Sequence, residues 1–279
     1  MDDRLVTALT AIDGWGTEHA AAAVVGPDGL VASHGDAERT FRWASVTKPV
    51  TALAVLLAVE GGLLDLEEPA GPPDSTVRHL LAHTSGLPFE GTVAIGRPGS
   101  HRIYSNHGFD LLGDLVSERI GRPFVDILGE SVLGPLGMGG TTLIGRPSEG
   151  LVGPLGDLVR LAGEFLRPTV LAPRTALALR TVAFPGVAGV VPGVGPFDPC
   201  DWGLGAEIRG GKQPHWTGRH NRPSTFGHFG GAGTFFWVDP DLDHALVCLT
   251  DRDFGPWALE VWPTLSDAVI AVIAAVDAR

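Results

Sequence analysis

Three residue types are scarce in this chain of 279 residues, which has two cysteines, two lysines and one tyrosine. Two cysteines cannot define a disulfide framework. Neither Cys200, beside a proline-rich loop, nor Cys248, inside the apolar run from Ala245 to Leu249, sits in a Cys-x-x-Cys pair, which argues against metal-thiolate and redox roles. No apolar stretch approaches the ~18 residues of a membrane span. The opening Met1 to Leu9 lacks the basic start and apolar core of a secretory leader, so a cytoplasmic location with no membrane partner is expected. Positive charge is short as well. With 20 basic against 32 acidic residues the net charge is -12, which argues against nucleic acid and anionic membranes as partners. What is abundant is apolar content, at 44%, enough for a sizeable core. Glycine (39) and proline (22) are plentiful enough to predict many turns and irregular loops.

Because 18 of the 20 basic residues are arginine, each lysine stands out, and Lys48 lies three residues after a serine in Trp43-Ala-Ser-Val-Thr-Lys-Pro49. The run Thr51 to Val59 that follows is rich in helix formers and is closed by Glu60-Gly61-Gly62, a C-terminal stop. Ser45 therefore falls at a helix N-terminus, where Pro49 costs little because first-turn N–H groups have no intrahelical partner. At a spacing of i, i+3 the Ser45 hydroxyl and the Lys48 ammonium share one face. The cation favours a nascent alkoxide, and the free N–H groups favour an oxyanion.

Before this helix, Leu5, Leu9 and Ile12 have the spacing of a short amphipathic helix over residues 2–13. Ala20 to Val25 and Leu30 to His34, joined by Gly26-Pro-Asp-Gly29, form an expected hairpin, with a further short strand at Thr40 to Trp43. Beyond the serine helix, His79 and His83 have a zinc-compatible i, i+4 spacing, but no Glu follows the first His and no third ligand is near. They read as packing and loop-bracing residues, and no metal is expected. Tyr104, the only tyrosine, and Asn106 lie on a turn just ahead of the helix Phe109 to Arg119, where an irregular backbone can aim both into a cleft. Helices are expected at 124–132, 156–165 and 173–180, a long rim loop at 183–200, and a strand at Trp202 to Ile208. Residues 209–222 carry four basic groups and no acid; they read as a solvated loop, with an anion as its conceivable attractant. Phe226 to Val238 reads as a strand, followed by a turn at 239–243, a strand at His244 to Thr250, and a closing helix from Trp257 to Val276. The glycines near 230 do not form a phosphate loop, since they enter a strand and no Gly-Lys-Ser/Thr follows.

Ser45-Val-Thr-Lys48, Tyr104-Ser-Asn106 and His228-Phe-Gly230 together resemble, in order and rough spacing, the three active-site motifs of the serine β-lactamase and penicillin-binding protein superfamily, in particular its class C β-lactamase and family VIII esterase branch. The resemblance extends over nearly the whole chain, through Val77 to Leu87, Gly134 to Met138 and Trp202 to Gly205. It implies an α+β fold in which an antiparallel sheet, from residues 1–43 and 201–279, is flanked by the terminal helices and interrupted by a mostly helical part, 44–200. It implies Ser45 as the acylated nucleophile, with Lys48 lowering the cost of ionising Ser45 or Tyr104. Tyr104 is implied as general base, and Asn106 as a group that holds the substrate carbonyl or orients Lys48. The third motif, His228 to Gly230, would bind substrate, and the N–H groups of Ser45 and Gly231 would form the oxyanion hole, without metal or cofactor. One departure bears on substrate. Lactamases and peptidases usually carry lysine where this chain has His228, and a histidine is mostly neutral at pH 7. The expectation is a serine hydrolase acting on small esters or amides, with at most weak action on lactams. The alternatives are a true β-lactamase or D-Ala-D-Ala carboxypeptidase, and a catalytically silent ligand-binding member of the fold. The oligomeric state is left open.

Overall fold

The computed structural model describes residues 2–277. The N-terminal apolar spacing forms α1 (Asp3–Leu9), where Asp2 caps the helix by accepting from the Arg4 N–H, and a 3-10 turn continues it and buries Ile12. The hairpin is β1 (Ala20–Gly26) and β2 (Gly29–Gly35), followed by the two-residue β3 (Phe41–Arg42). Next come α2 (Thr47–Glu60), α3 (Val77–Leu81), β4 (Arg102–Ile103), α4 (Asn106–Ile120) and α5 (Phe124–Leu128). After them β5 (Thr142–Leu143), β6 (Leu151–Gly153), α6 (Leu155–Leu166), α7 (Pro173–Leu179), β7 (Gly189–Val191) and β8 (Gly195–Phe197) complete the middle of the chain. The chain closes with β9 (Glu207–Ile208), β10 (Phe226–Gly230), β11 (Thr234–Asp239), β12 (His244–Thr250) and α8 (Pro256–Asp277).

The main sheet is antiparallel, in the order β2-β1-β12-β11-β10-β9, so the two ends of the chain build it together. Side chains alternate across it with period two. Ala22, Val24, Phe235, Trp237, Leu246 and Cys248 pack with α1 and α8, through Leu5, Leu9, Trp262, Leu265 and Val269. Ala21, Ala23, Val25, Phe236, Val247 and Leu249 face the other layer, with α2 and α6. Alanine on both faces of β1 lets helices approach the sheet from either side. Helix α6 belongs in sequence to the helical part, yet it lies on this sheet, with Phe165 stacked on Phe236 at 5.3 Å.

Four expectations need correction. The segment 183–200 is not a plain rim loop: β7 and β8 form a hairpin within it, and β7 pairs in parallel with β4, immediately before Tyr104. Residues 226–238 are two strands folded at Gly231 to Gly233, because Gly233 takes φ +76° and turns the chain back. Only Glu207–Ile208 of the segment 202–208 is strand, with Trp202 closing back on Glu207 through one bridge. Finally, α8 contains a window, Pro256–Ala275, that is long and apolar enough by length and composition to cross a membrane, with mean hydropathy 1.5. In the fold its apolar side chains face the sheet, and burial of Trp262, Leu265, Val269 and Ile273, each worth about 1.5–3 kcal/mol for the larger side chains, outweighs the ~3 kcal/mol cost of Pro263 within the helix.

Candidate active site

Ser45 lies in a 3-10 turn, Ala44–Val46, that leads directly into α2. Ala44 is held at φ +46°, a conformation that costs about 1–3 kcal/mol for a residue with a Cβ and that persists only where the surroundings over-determine it. They do so through Trp43. Its buried indole donates to the Gly153 carbonyl at 3.1 Å, and its own carbonyl accepts from Val46 N–H and from the Thr234 hydroxyl at 3.0 Å. Strand β10 presses on the same carbonyl, and a Cβ on Gly230 would stand 2.3 Å from it.

The Lys48 side chain is buried and reaches three oxygens. It donates to Ser45 Oγ at 3.1 Å, Asn106 Oδ1 at 2.6 Å and the Ser148 carbonyl at 3.0 Å. Burial lowers its pKa from 10.5 to about 7, despite the opposing pull of Glu149 and Asp110. Asn106 opens α4, after Ser105 has capped the helix by accepting from Gly108 N–H, and its Nδ2 donates to Glu90 at 2.7 Å. That second bond fixes which face of the amide meets Lys48.

Tyr104 projects from the link between β4 and α4. Its ring stacks on His83 at 4.3 Å, and the Lys48 ammonium sits 4.7 Å from its centroid. His83 also accepts the Ser105 N–H at 3.1 Å, while His79 caps α3 by accepting from Thr76, so the two imidazoles brace loops and do not converge on one point. Burial raises the Tyr104 pKa well above its ordinary 10, against a smaller lowering through Ser45, so the hydroxyl keeps its proton. His228 points Nε2 at this hydroxyl, 3.4 Å away, while its Nδ1 bonds the Phe229 carbonyl at 2.6 Å. A carbonyl partner requires the proton on Nδ1, leaving Nε2 as an acceptor. Burial, and then the Lys48 charge, lower the His228 pKa to about 3, so the ring is neutral.

Ser45, Tyr104, Asn106, His228 and Gly231 line one cavity of about 340 Å³, and Lys48 stands behind Ser45. Gly230 is not in its wall; it lies behind, where its missing side chain lets β10 meet the serine turn. Part of the lining escaped sequence reasoning: Phe89, Val191 and Phe254 join Trp202 and Phe229, which lie in the quoted stretches, to make it mainly apolar, with Glu90 and Glu149 its only charged groups among the described residues. Phe89, Val191 and Phe254 come from three separate segments and carry no local motif. The basic segment 209–222 contributes nothing to the lining. It is only partly a solvated loop: Arg219 and Arg222 are exposed, but Arg209 is buried, and Lys212, His215 and Trp216 are buried around Glu207, which pairs with Lys212 at 3.2 Å and His215 at 3.0 Å.

Three comparisons with known proteins bear on this geometry. The crystal structure of a beta-lactamase from Mycobacterium bovis superposes with a TM-score of 0.94 at 52% identity, covering 95% of this chain and 99% of that one. Penicillin-binding protein 4* of Bacillus subtilis is 31% identical over 139 residues, 38% of this chain and 31% of the relative. Esterase EstB of Burkholderia gladioli is 30% identical over 164 residues, 42% of each chain. The chain thus matches less than half the length of these two curated relatives. A family model described as Beta-lactamase matches residues 10–269, and with nearly the whole chain inside that match the protein belongs to the beta-lactamase family.

Proposed function

We propose that the protein is a serine hydrolase that forms an acyl-enzyme on Ser45 and acts on small, uncharged esters or amides. The observation that carries the substrate class is the cavity lining, which is mainly apolar with two carboxylates and, among the described residues, no cationic side chain, beside a His228 that is neutral. A substrate bearing a carboxylate, as penicillins and D-Ala-D-Ala peptides do, finds no counter-ion there. A charge-assisted hydrogen bond is worth about 1.5–3 kcal/mol, so its absence weakens such substrates roughly ten- to a hundredfold.

The hydrogen bonds support the following chemistry. A neutral Lys48 amine has two N–H groups, matched to Asn106 Oδ1 and the Ser148 carbonyl, and turns its lone pair to the Ser45 hydroxyl. Lys48 takes the Ser45 proton as Oγ attacks the substrate carbonyl, whose oxygen collects the backbone N–H groups of Ser45 and Gly231. Tyr104 hands its proton to the departing oxygen or nitrogen and is reprotonated from Lys48. Water then retraces the sequence: Tyr104 passes its proton to Lys48 as it takes one from the water, the water oxygen attacks the acyl carbon, and Ser45 leaves with the proton from Lys48. A second reading, β-lactam hydrolysis, is favoured by the 52% identity to the protein from Mycobacterium bovis that is named a beta-lactamase.

Hydrolysis of a short-chain p-nitrophenyl ester beside a chromogenic cephalosporin, with wild type and Ser45→Ala, decides between them. Ester turnover is expected to dominate and to fall at least a thousandfold in the variant, as loss of a nucleophile does. Faster cephalosporin turnover makes the second reading the correct one, and turnover of neither that depends on Ser45 overturns both.

A further inference from the structure

A cavity larger than the one at Ser45, about 780 Å³, shares no lining residue with it. One wall is the basic segment, through Arg209, His215 and Arg219; the other is α8, through Leu259, Pro263 and Asp267. We propose that this cavity is a second binding site, for a small carboxylate or phosphate monoanion gripped by the Arg209 guanidinium.

Arg209 is only 5% exposed, yet its side chain makes a single hydrogen bond, 3.3 Å to the adjacent Gly210 carbonyl, and its Nε is buried with no partner among the described residues. The neighbouring carboxylates are engaged elsewhere. Glu207 pairs with Lys212 and His215, Asp267 with His220, and Asp239 accepts from Thr225 and from Arg222 N–H. Arg102 shows how this fold treats an arginine whose work is structural: equally buried, it donates to the carbonyls of Cys200, Ala82 and Ala183. With one long backbone hydrogen bond, and with Asp267 and Asp239 acting on it only through space, this buried cation is costly to a folded chain, and its planar fork of donors fits the paired oxygens of a carboxylate or phosphate. The opposite wall adds an acceptor. Pro263 has no N–H, so the Leu259 carbonyl on this wall lacks its i+4 helical donor. Glu260 and Asp267 on that wall balance Arg209 and Arg219, which disfavours a polyanion and leaves room for one negative charge.

Calorimetric titration with sodium benzoate and, separately, inorganic phosphate, at ionic strength matched with NaCl, tests this on wild type, Arg209→Met and Thr264→Trp. Thr264 is exposed at the rim, so its tryptophan fills the cavity without touching the guanidinium's own packing. Saturable binding is expected in wild type, at least tenfold weaker in both variants, with p-nitrophenyl ester hydrolysis within twofold of wild type. Benzoate alone marks a carboxylate ligand and phosphate alone a phosphate ligand. The melting temperature of Arg209→Met in anion-free buffer is expected to equal or exceed that of wild type, since an unpaired buried charge has been removed. Heat indistinguishable from NaCl in wild type, or equal binding in wild type and Thr264→Trp, overturns the proposal. If Arg209→Met does not fold, Thr264→Trp decides.

Discussion

Only two protons can sit on the Lys48 nitrogen if it is to receive the one from Ser45, and the protein holds two acceptors for them. The depressed pKa of about 7 makes this state accessible at neutral pH. The sign of the pH dependence follows. Below pH 7 the ammonium offers no lone pair, so kcat/KM for the ester should rise with pH through an inflection near 7 and level off above it. A profile flat from pH 5 to 8.5 sinks Lys48 as the base. Lys48→Arg, a cation that does not deprotonate, should lose activity at least a thousandfold at every pH in that range while keeping the charge. The neighbouring His228 lies close enough to feel the charge on the same nitrogen. In His228→Lys a second ammonium near Lys48 should move the inflection below 7, since a like charge disfavours the charged form. It also supplies the cation that a carboxylate-bearing substrate lacks, so the ratio of cephalosporin to ester kcat/KM should rise about tenfold or more. An unchanged ratio would mean that substrate charge is read somewhere other than position 228.

At the scale of elements, two adjacent glycines in the turn of one hairpin have different tasks. A Cβ on Gly230 would stand 2.3 Å from the Trp43 carbonyl and 2.6 Å from the Thr234 hydroxyl, whereas one on Gly231 meets nothing within 4 Å. Gly230→Ala must push β10 away from the serine turn, at a cost of about 1–3 kcal/mol as overpacking does, with ester hydrolysis falling because Ala44 and Ser45 shift. Gly231→Ala should unfold within about 0.5 kcal/mol of wild type, as substitutions free of such contacts do. Urea denaturation of both variants checks the pair; equal stabilities would remove the close-approach account of Gly230. The same hairpin shows what a sequence discloses about a fold. The turn Gly26 to Gly29 and the stop Gly61-Gly62 announce themselves because turn chemistry is local, and so does the run of helix formers after Ser45. Strands β7 and β8 do not, since three residues each carry no period, and they are strands only because β7 pairs with β4 and β8 with β7. The side chains on which the three motifs converge were therefore legible. The apolar wall was not: Trp202 and Phe229 lie in quoted stretches, but the wall they form with Val191 and Phe254 exists only once distant segments meet.

At the scale of the whole molecule, Glu207 is the acid no sequence pattern marks, and it fixes the segment that the charge count misplaces. Of the four basic residues between 209 and 222, Arg219 and Arg222 are exposed, whereas Lys212 looks solvated only while its partner five residues earlier goes unnoticed. Once β9 brings the Glu207 carboxylate inward, Lys212, His215 and the Trp216 indole close on it, the last at 2.7 Å. Burial alone would push Glu207 up; Lys212 and His215 reverse this and hold it at about 2, below the ordinary 4.5. A carboxylate depressed in the folded state contributes stability that is fully present above pH 4.5 and lost as pH falls toward 2. At about 1.4 kcal/mol per unit this loss is roughly 3 kcal/mol. His215, held down by burial, adds a loss of the same sign beginning below its ordinary 6.5. The net charge of -12 acts the other way in mild acid, because protonating surface carboxylates relieves repulsion. Stability should therefore pass through a maximum in mild acid and decline steeply below pH 4.5. Glu207→Gln strands the Lys212 ammonium and should cost about 3–5 kcal/mol at pH 7, and its urea midpoint should fall less steeply than wild type between pH 4.5 and 2.5. Parallel slopes for the two proteins would mean that acid unfolding is set by the surface carboxylates and not by this buried cluster.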